Sequence, residues 1–220
     1  MLFKTGPAVI AFCLISAISL PALASPPMAT GAPVVAPRGF IGFCLKYQPE
    51  CRATSSQPAA VELTEDRYQQ LEFAQAKINR LVRPRANPDH VWDYPTDGYG
   101  DCNNYAIAKR AELIALGWPR AALLLAAAKT EDGEGHLVLV VATSKGDLVL
   151  DNRQIHIVEW RYLPYRWLSR QNPHNLAEWV NIVQAPIVTA DARSSRGANV
   201  ARHALKPCPD RLGASHRANV

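Results

Sequence analysis

Cysteine is scarce in this chain, with five in 220 residues. That is too few for a scaffold built from disulfides. Long apolar runs are scarcer still. Beyond residue 24 none approaches the roughly 20 residues that span a bilayer, so no retained membrane segment is expected. No internal repeat is visible. The middle of the chain also lacks an excess of either charge. The net charge is +5, and it resides in Lys4 and in residues 191–220, where six basic residues face two acidic ones. Residues 25–190 sum to zero, so the basic character belongs to a tail and no nucleic-acid face is expected. With 48% hydrophobic and 20% charged residues, the composition excludes collagen, a coiled coil and a wholly disordered chain. The length suits one domain.

The first 24 residues have the pattern of a secretory signal peptide. Lys4 precedes an apolar stretch over 8–20, and Ala22-Leu23-Ala24 is a small-x-small cleavage site. Ser25 would then begin the mature chain, in the periplasm or outside the cell. Export places the cysteines beyond the signal in an oxidising compartment. Cys44 and Cys51 are seven apart in F-C-L-K-Y-Q-P-E-C-R, which predicts a local disulfide. Cys102 and Cys208 remain. They can pair with each other, or Cys208 can be a free or intermolecular thiol in its polar tail.

The rest of the chain divides by pattern. Residues 25–38 are rich in Pro and Ala and predict an extended leader, followed by the disulfide loop over 39–60. A helix is predicted over 63–82, where Leu63, Leu71, Ala74, Ile78 and Leu81 share a face and Thr64 can cap the start. Residues 83–100 are broken by Pro84, Pro88, Pro95, Gly98 and Gly100 and predict a loop, whose Trp92, Tyr94 and Tyr99 cover apolar surface. A second helix is predicted over 103–116, stopped by Gly117 and Pro119. Short strands follow at 121–128, 136–142 and 147–151, then at 162–167 and 179–183. Residues 188–220 lose apolar pattern and predict disorder. Helices first and an antiparallel meander second make an α+β fold, with helices packed on a small antiparallel sheet.

One constellation carries chemistry. Cys102 stands at or beside the N-cap of the second helix, where unpaired N–H groups and the helix dipole favour a thiolate. His136 opens one strand and Asp151 closes the next, and antiparallel pairing can bring those two ends together. Cys102 as nucleophile, His136 as acid–base and Asp151 as its orienter would form a Cys–His–Asp triad. A zinc site from the same residues is a weaker reading, because nucleophilic activation better explains the N-cap cysteine.

The run Gly100-Asp101-Cys102-Asn103-Asn104-Tyr105-Ala106, with Lys109-Arg110, Gly117-Trp118-Pro119, Gly135-His136 and Leu150-Asp151-Asn152, resembles the bacterial transglutaminase-like cysteine peptidases. The resemblance covers roughly residues 40–183. It implies a papain-like domain, here residues 39–187, exported to act as a thiol protease on a protein or peptide substrate, such as a surface protein. It gives Cys102, His136 and Asp151 the triad roles. It also implies a calcium site flanking the nucleophile, here at Asp101 and Asn103. Family members place acidic residues where this chain has Asn103 and Asn104, which lowers the site's charge and with it the expected affinity. The chemistry itself requires no cofactor. Two rival functions share the fold: an acyl transferase that passes the acyl group to an amine, and a catalytically idle exported binding protein.

Overall fold

The computed structural model describes residues 25–54 and 56–184. The expected signal peptide over 1–24, the tail over 188–220 and Cys208 lie outside the described residues. Three α-helices pack with a seven-stranded sheet: α1 (Arg38–Lys46), α2 (Glu65–Leu81) and α3 (Cys102–Ala115). The long strands are β4 (Leu123–Lys129), β5 (Gly135–Thr143), β6 (Gly146–Leu150), β8 (Arg166–Asn172) and β9 (Asn175–Ile182). The short ones are β1 (Thr30–Val34) and β7 (Val158–Glu159), while β2 (Arg83–Pro84) pairs β3 (Tyr99–Gly100) apart from the main sheet. The main sheet runs β1-β9-β8-β4-β5-β6-β7, and every pairing within it is antiparallel. This is the α+β architecture expected. Among the described residues no helix is long and apolar enough to cross a membrane.

The alternation along β5 divides the core. Leu137, Leu139 and Val141 join the cluster built with Ile107 and Leu113 of α3 and Leu71 and Ala74 of α2. Val138 and Val140 join a second cluster with Ala126, Ala128, Val149, Trp160, Tyr165 and Trp167. The central strand is thus buried on both faces. Each fully buried Leu or Val there contributes about 1.5–3 kcal/mol of transfer free energy. Thr64 caps α2, its hydroxyl accepting the Arg67 N–H at 3.2 Å.

The structure differs from the sequence expectation at several places, among them Leu81, expected on the apolar face of α2 but exposed at its last turn. The disulfide of Cys44 and Cys51 forms as expected, but Cys44 lies in a helix, α1, rather than in a loop. This helix is short and holds Gly39 and Gly42, so its pattern is weak. Phe40 and Phe43, one turn apart, supply its buried side. The stretch read as an extended leader contains β1, which pairs with β9 at the sheet edge, and Met28 is buried. Residues 162–167 are not one strand. Trp160–Tyr162 form a 3₁₀ turn, Pro164 has no N–H to donate to a ladder, and β8 starts at Arg166. In the loop after α2, Trp92 is buried and Tyr94 half-buried as expected, but Tyr99 is exposed.

Arg110 of α3 is buried, donates to the Leu123 carbonyl at 3.0 Å and pairs with Glu50 in the disulfide loop. Burial raises the Glu50 carboxyl, but Arg120 and Arg110 outweigh it and hold it below its ordinary value. A depressed carboxylate stabilises the fold above the unfolded pKa and loses that contribution as pH falls. Glu50→Ala leaves a buried guanidinium unpaired and should cost about 3 kcal/mol at neutral pH, read by urea unfolding. A loss below about 0.5 kcal/mol would mean that the pair does not anchor the loop to α3.

Candidate active site

Asp101 is the N-cap of α3 and builds a capping box. Its Oδ1 accepts the N–H groups of Asn103 at 3.0 Å and Asn104 at 3.4 Å. Asn104 Oδ1 accepts the Asp101 N–H at 2.9 Å. Gly100 is required just before the cap, because a Cβ there would stand 2.4 Å from the Cβ of Asn104. The Asn104 amide also donates to the Asp93 carbonyl at 2.7 Å, which ties the preceding loop to the helix start. Cys102 is therefore the first residue of α3, buried at the positive end of the helix. Its sulfur is disulfide-bonded in this structure, so any attack requires the reduced form.

β5 and β6 bring His136 and Asp151 together. The two strands pair with Leu139 opposite Leu150, so residue 151 leaves β6 near the start of β5. His136 Nε2 lies 2.8 Å from Asp151 Oδ1, with both side chains buried. Asp151 Oδ1 also accepts the Arg153 N–H at 2.8 Å, and Oδ2 accepts the Tyr165 hydroxyl at 2.6 Å. Burial would raise the Asp151 carboxyl. The His136 charge and these donors overcome that and hold it well below the carboxylate range. Burial and the Asp151 charge push the Tyr165 phenol well above its ordinary value, so it stays a donor. The Tyr165 ring also packs edge-on against His136 at 5.6 Å.

His136 and Asp151 are thus in direct contact. Cys102 belongs to the core cluster on the helix face of the sheet, whereas Tyr165 belongs to the cluster on the other face. Only the His136–Asp151 contact is direct, and Cys102 is related to that pair through the packing of α3 on β5. Sequence reading missed Tyr165 as a site residue and also Gln75, whose Nε2 donates to the Asp151 carbonyl at 2.8 Å. Gln75 left one signal, a polar residue on the otherwise apolar face of α2 with Leu71, Ala74 and Ile78.

The donors at Asp101 fit capping better than a cation cage. Its Oδ2 accepts the Asn103 side-chain amide at 3.0 Å, so both carboxylate oxygens are engaged. Burial raises this carboxyl against the opposing hydrogen bonds from Asn104 and Asn103. A hard cation would have to break the capping box, with one carboxylate charge to replace it. Among the described residues no group of three His, Cys, Asp or Glu side chains gathers to hold a metal.

Replacing Asp151 by Asn should destabilise the protein by on the order of 2 kcal/mol at neutral pH, by weakening charge-assisted hydrogen bonds. The native carboxyl stays ionised where the unfolded chain protonates, near pH 4. Stability from Asp151 is therefore present above that pH and is lost as pH falls. The wild type should weaken more steeply than Asp151→Asn between pH 5 and 3 in urea unfolding. Parallel curves would contradict the charged, hydrogen-bonded state of Asp151.

No curated protein matches the chain. Solved structures of LapG from Legionella pneumophila are similar. One is 26% identical, covering 47% of this chain and 63% of that one, with a TM-score of 0.42. A calcium-bound form is 23% identical over 55% of this chain and 74% of that one, with a TM-score of 0.47. An EGTA-treated form is 25% identical over 58% and 73%, with a TM-score of 0.44. The family model of the bacterial transglutaminase-like cysteine proteinases, BTLCP, matches residues 30–186, a span that takes in Cys102, His136 and Asp151. Over that span this chain belongs to the bacterial transglutaminase-like cysteine proteinase family.

Proposed function

We propose that this protein is an exported cysteine protease that works through a Cys102–His136–Asp151 triad and an acyl-thioester. The observation that carries the reading is the buried His136–Asp151 contact at 2.8 Å, at the end of the strand on which the helix opened by Cys102 packs. Family membership supports the same chemistry.

Because Nε2 of His136 faces Asp151, Nδ1 is the nitrogen that exchanges protons with the nucleophile. Reduced Cys102 gives its proton to Nδ1, and Sγ attacks the scissile carbonyl. The tetrahedral intermediate collapses, the C–N bond breaks and the imidazolium protonates the leaving amine. Water, deprotonated by His136, then attacks the thioester carbonyl, and the Cys102 thiolate leaves with the acid as product. Asp151 keeps the imidazole oriented and stabilises its cation, and Tyr165 keeps Asp151 in place. The Cys102 backbone N–H is the first oxyanion donor.

The Cys44–Cys51 disulfide and the signal-like first 24 residues support a periplasmic or secreted location. The substrate is a protein or peptide, with a surface protein as the candidate. No step needs a metal. The calcium-bound LapG is a property of that protein, and here the engaged Asp101 carboxylate argues for activity that EGTA changes less than about twofold.

The test is digestion of a peptide library by reduced protein in the presence of dansylcadaverine, with EGTA in a parallel arm, read by mass spectrometry. New peptide termini are expected from the wild type and should vanish in Cys102→Ala and His136→Ala. Tyr165→Phe should lower the rate about tenfold, equivalent to one lost positioning hydrogen bond of ~1.4 kcal/mol. Accumulation of dansylcadaverine adducts in place of free termini would establish acyl transfer. Termini that persist in Cys102→Ala would overturn the reading.

A further inference from the structure

Lys109 is a charged residue for which the proposed reaction has no use. It lies on α3 two turns after Cys102, is fully buried, and its amine has no hydrogen-bond partner among the described residues. Its neighbour Arg110 shows the contrast: that guanidinium is satisfied by Glu50 and the Leu123 carbonyl. An amine placed in the core without partners is costly, so its position calls for a specific charge.

The packing identifies that charge. Helices α2 and α3 run antiparallel, with Lys77 bonded to Glu112, Gln70 to Trp118 and the Val82 carbonyl to Tyr105. Lys109 is therefore level with Ile78 and Asn79. At that level α2 is fastened to the turn after β6. Gln75 donates to the carbonyls of Asp151 and Gln154, and Asn79 donates to Gln154 at 3.1 Å. The amine thus occupies the junction of α2, α3 and the Asp151 turn. Among the described residues the buried side-chain oxygens of Gln75, Asn79 and Asn152 have no hydrogen-bond partner either.

The charged and titratable groups around this junction are few. On α3 the Tyr105 ring lies 6.0 Å from the amine. From the turn comes Asp151, whose charge favours the Lys109 cation against the effect of burial. Around Asp151 stand His136 of β5 and Tyr165, with the Arg153 backbone N–H, while the Arg153 guanidinium lies 3.8 Å from Glu134. On α2 the ionic groups beside that level are Lys77, already paired with Glu112 at a partly exposed site, and the exposed Arg80.

We propose that Lys109 is the internal counter-cation of Asp151, a positioning residue that sets how strongly Asp151 holds the His136 imidazolium. An ammonium in the same junction offsets part of the carboxylate's field at His136. Burial lowers the Lys109 amine to about 7, against the opposing pull of Asp151. The cation is therefore present in mildly acid solution and fades above neutrality. His136 then feels the full Asp151 charge only on the alkaline side. This inference rests on the proposed role of the His136–Asp151 pair but is measurable without substrate.

The experiment is an NMR titration of the reduced full chain, following the His136 ring and the Lys109 Cε. In Lys109→Met the His136 midpoint should rise by about one pH unit, a tenfold change in proton affinity, because an opposing cation is gone. In Asp151→Asn the Lys109 midpoint should fall by about one unit, because its counter-charge is gone. The Asp151→Asn arm keeps the test open if Lys109→Met fails to fold. A His136 midpoint unmoved in a folded Lys109→Met, or a Lys109 midpoint unmoved in Asp151→Asn, would overturn the proposal. Shifts as expected in a chain without thiol-dependent cleavage would leave the counter-cation in place and remove the protease reading. Cleavage without shifts would do the reverse.

Discussion

A carboxylate buried as completely as Asp151 is expensive to desolvate, and much of the architecture around it supplies compensation. His136, the Arg153 N–H and the Tyr165 hydroxyl meet its two oxygens, while Gln75 binds its carbonyl. These groups come from β5, from the turn after β6, from the approach to β8 and from α2. The pairing of β5 with β6 must therefore be right to within a residue, because a slip of one would turn His136 to the other face. A site with this many independent supports holds its imidazole in one orientation before any substrate arrives. In the proposed reaction that preorganisation would be the protein's contribution to catalysis.

The helix layer solves a second electrostatic problem. Arg110 enters the core with a partner, Glu50, carried by the disulfide loop. Lys109 enters beside it without a hydrogen-bond partner among the described residues, at the junction of α2, α3 and the Asp151 turn. Another buried pair, Arg170 with Asp147, sits across the sheet, where Asp147 also accepts the Met28 N–H at 2.8 Å. Each of the two buried pairs connects separate segments of the chain. The N-terminal segment, the disulfide loop and the helices are held to the sheet by such links as well as by apolar packing.

What could be read from the sequence follows from range. The capped, periodic α2 and α3 were legible because Thr64, the Asp101–Cys102 run and Gly117 act within a turn of the element they bound. The β4–β6 meander was legible because its turns are short and Gly-bearing. Those turns were enough to foresee the contact of His136 with Asp151. The edge strand β1 was not legible, since its partner β9 lies about 150 residues away and its Pro-rich composition resembles a leader. Tyr165 and Gln75 escaped for the same reason. Their roles depend on a carboxylate brought to them by tertiary packing, and a lone Tyr or Gln carries no local signal of that. Calcium at Asp101 and Asn103 was suggested by the resemblance, and only the capping box shows how fully that carboxylate is engaged.

The central claim is that reduced Cys102 at the start of α3 is activated by His136. It is tested most directly by the pH dependence of iodoacetamide labelling of reduced mature protein, read by peptide mass spectrometry in the wild type and in His136→Ala. The account expects Cys102 to label selectively at pH values well below the ordinary thiol pKa of about 8.5, and expects His136→Ala to abolish that advantage. Labelling of Cys102 with the profile of an ordinary thiol, or a profile unchanged in His136→Ala, would contradict it.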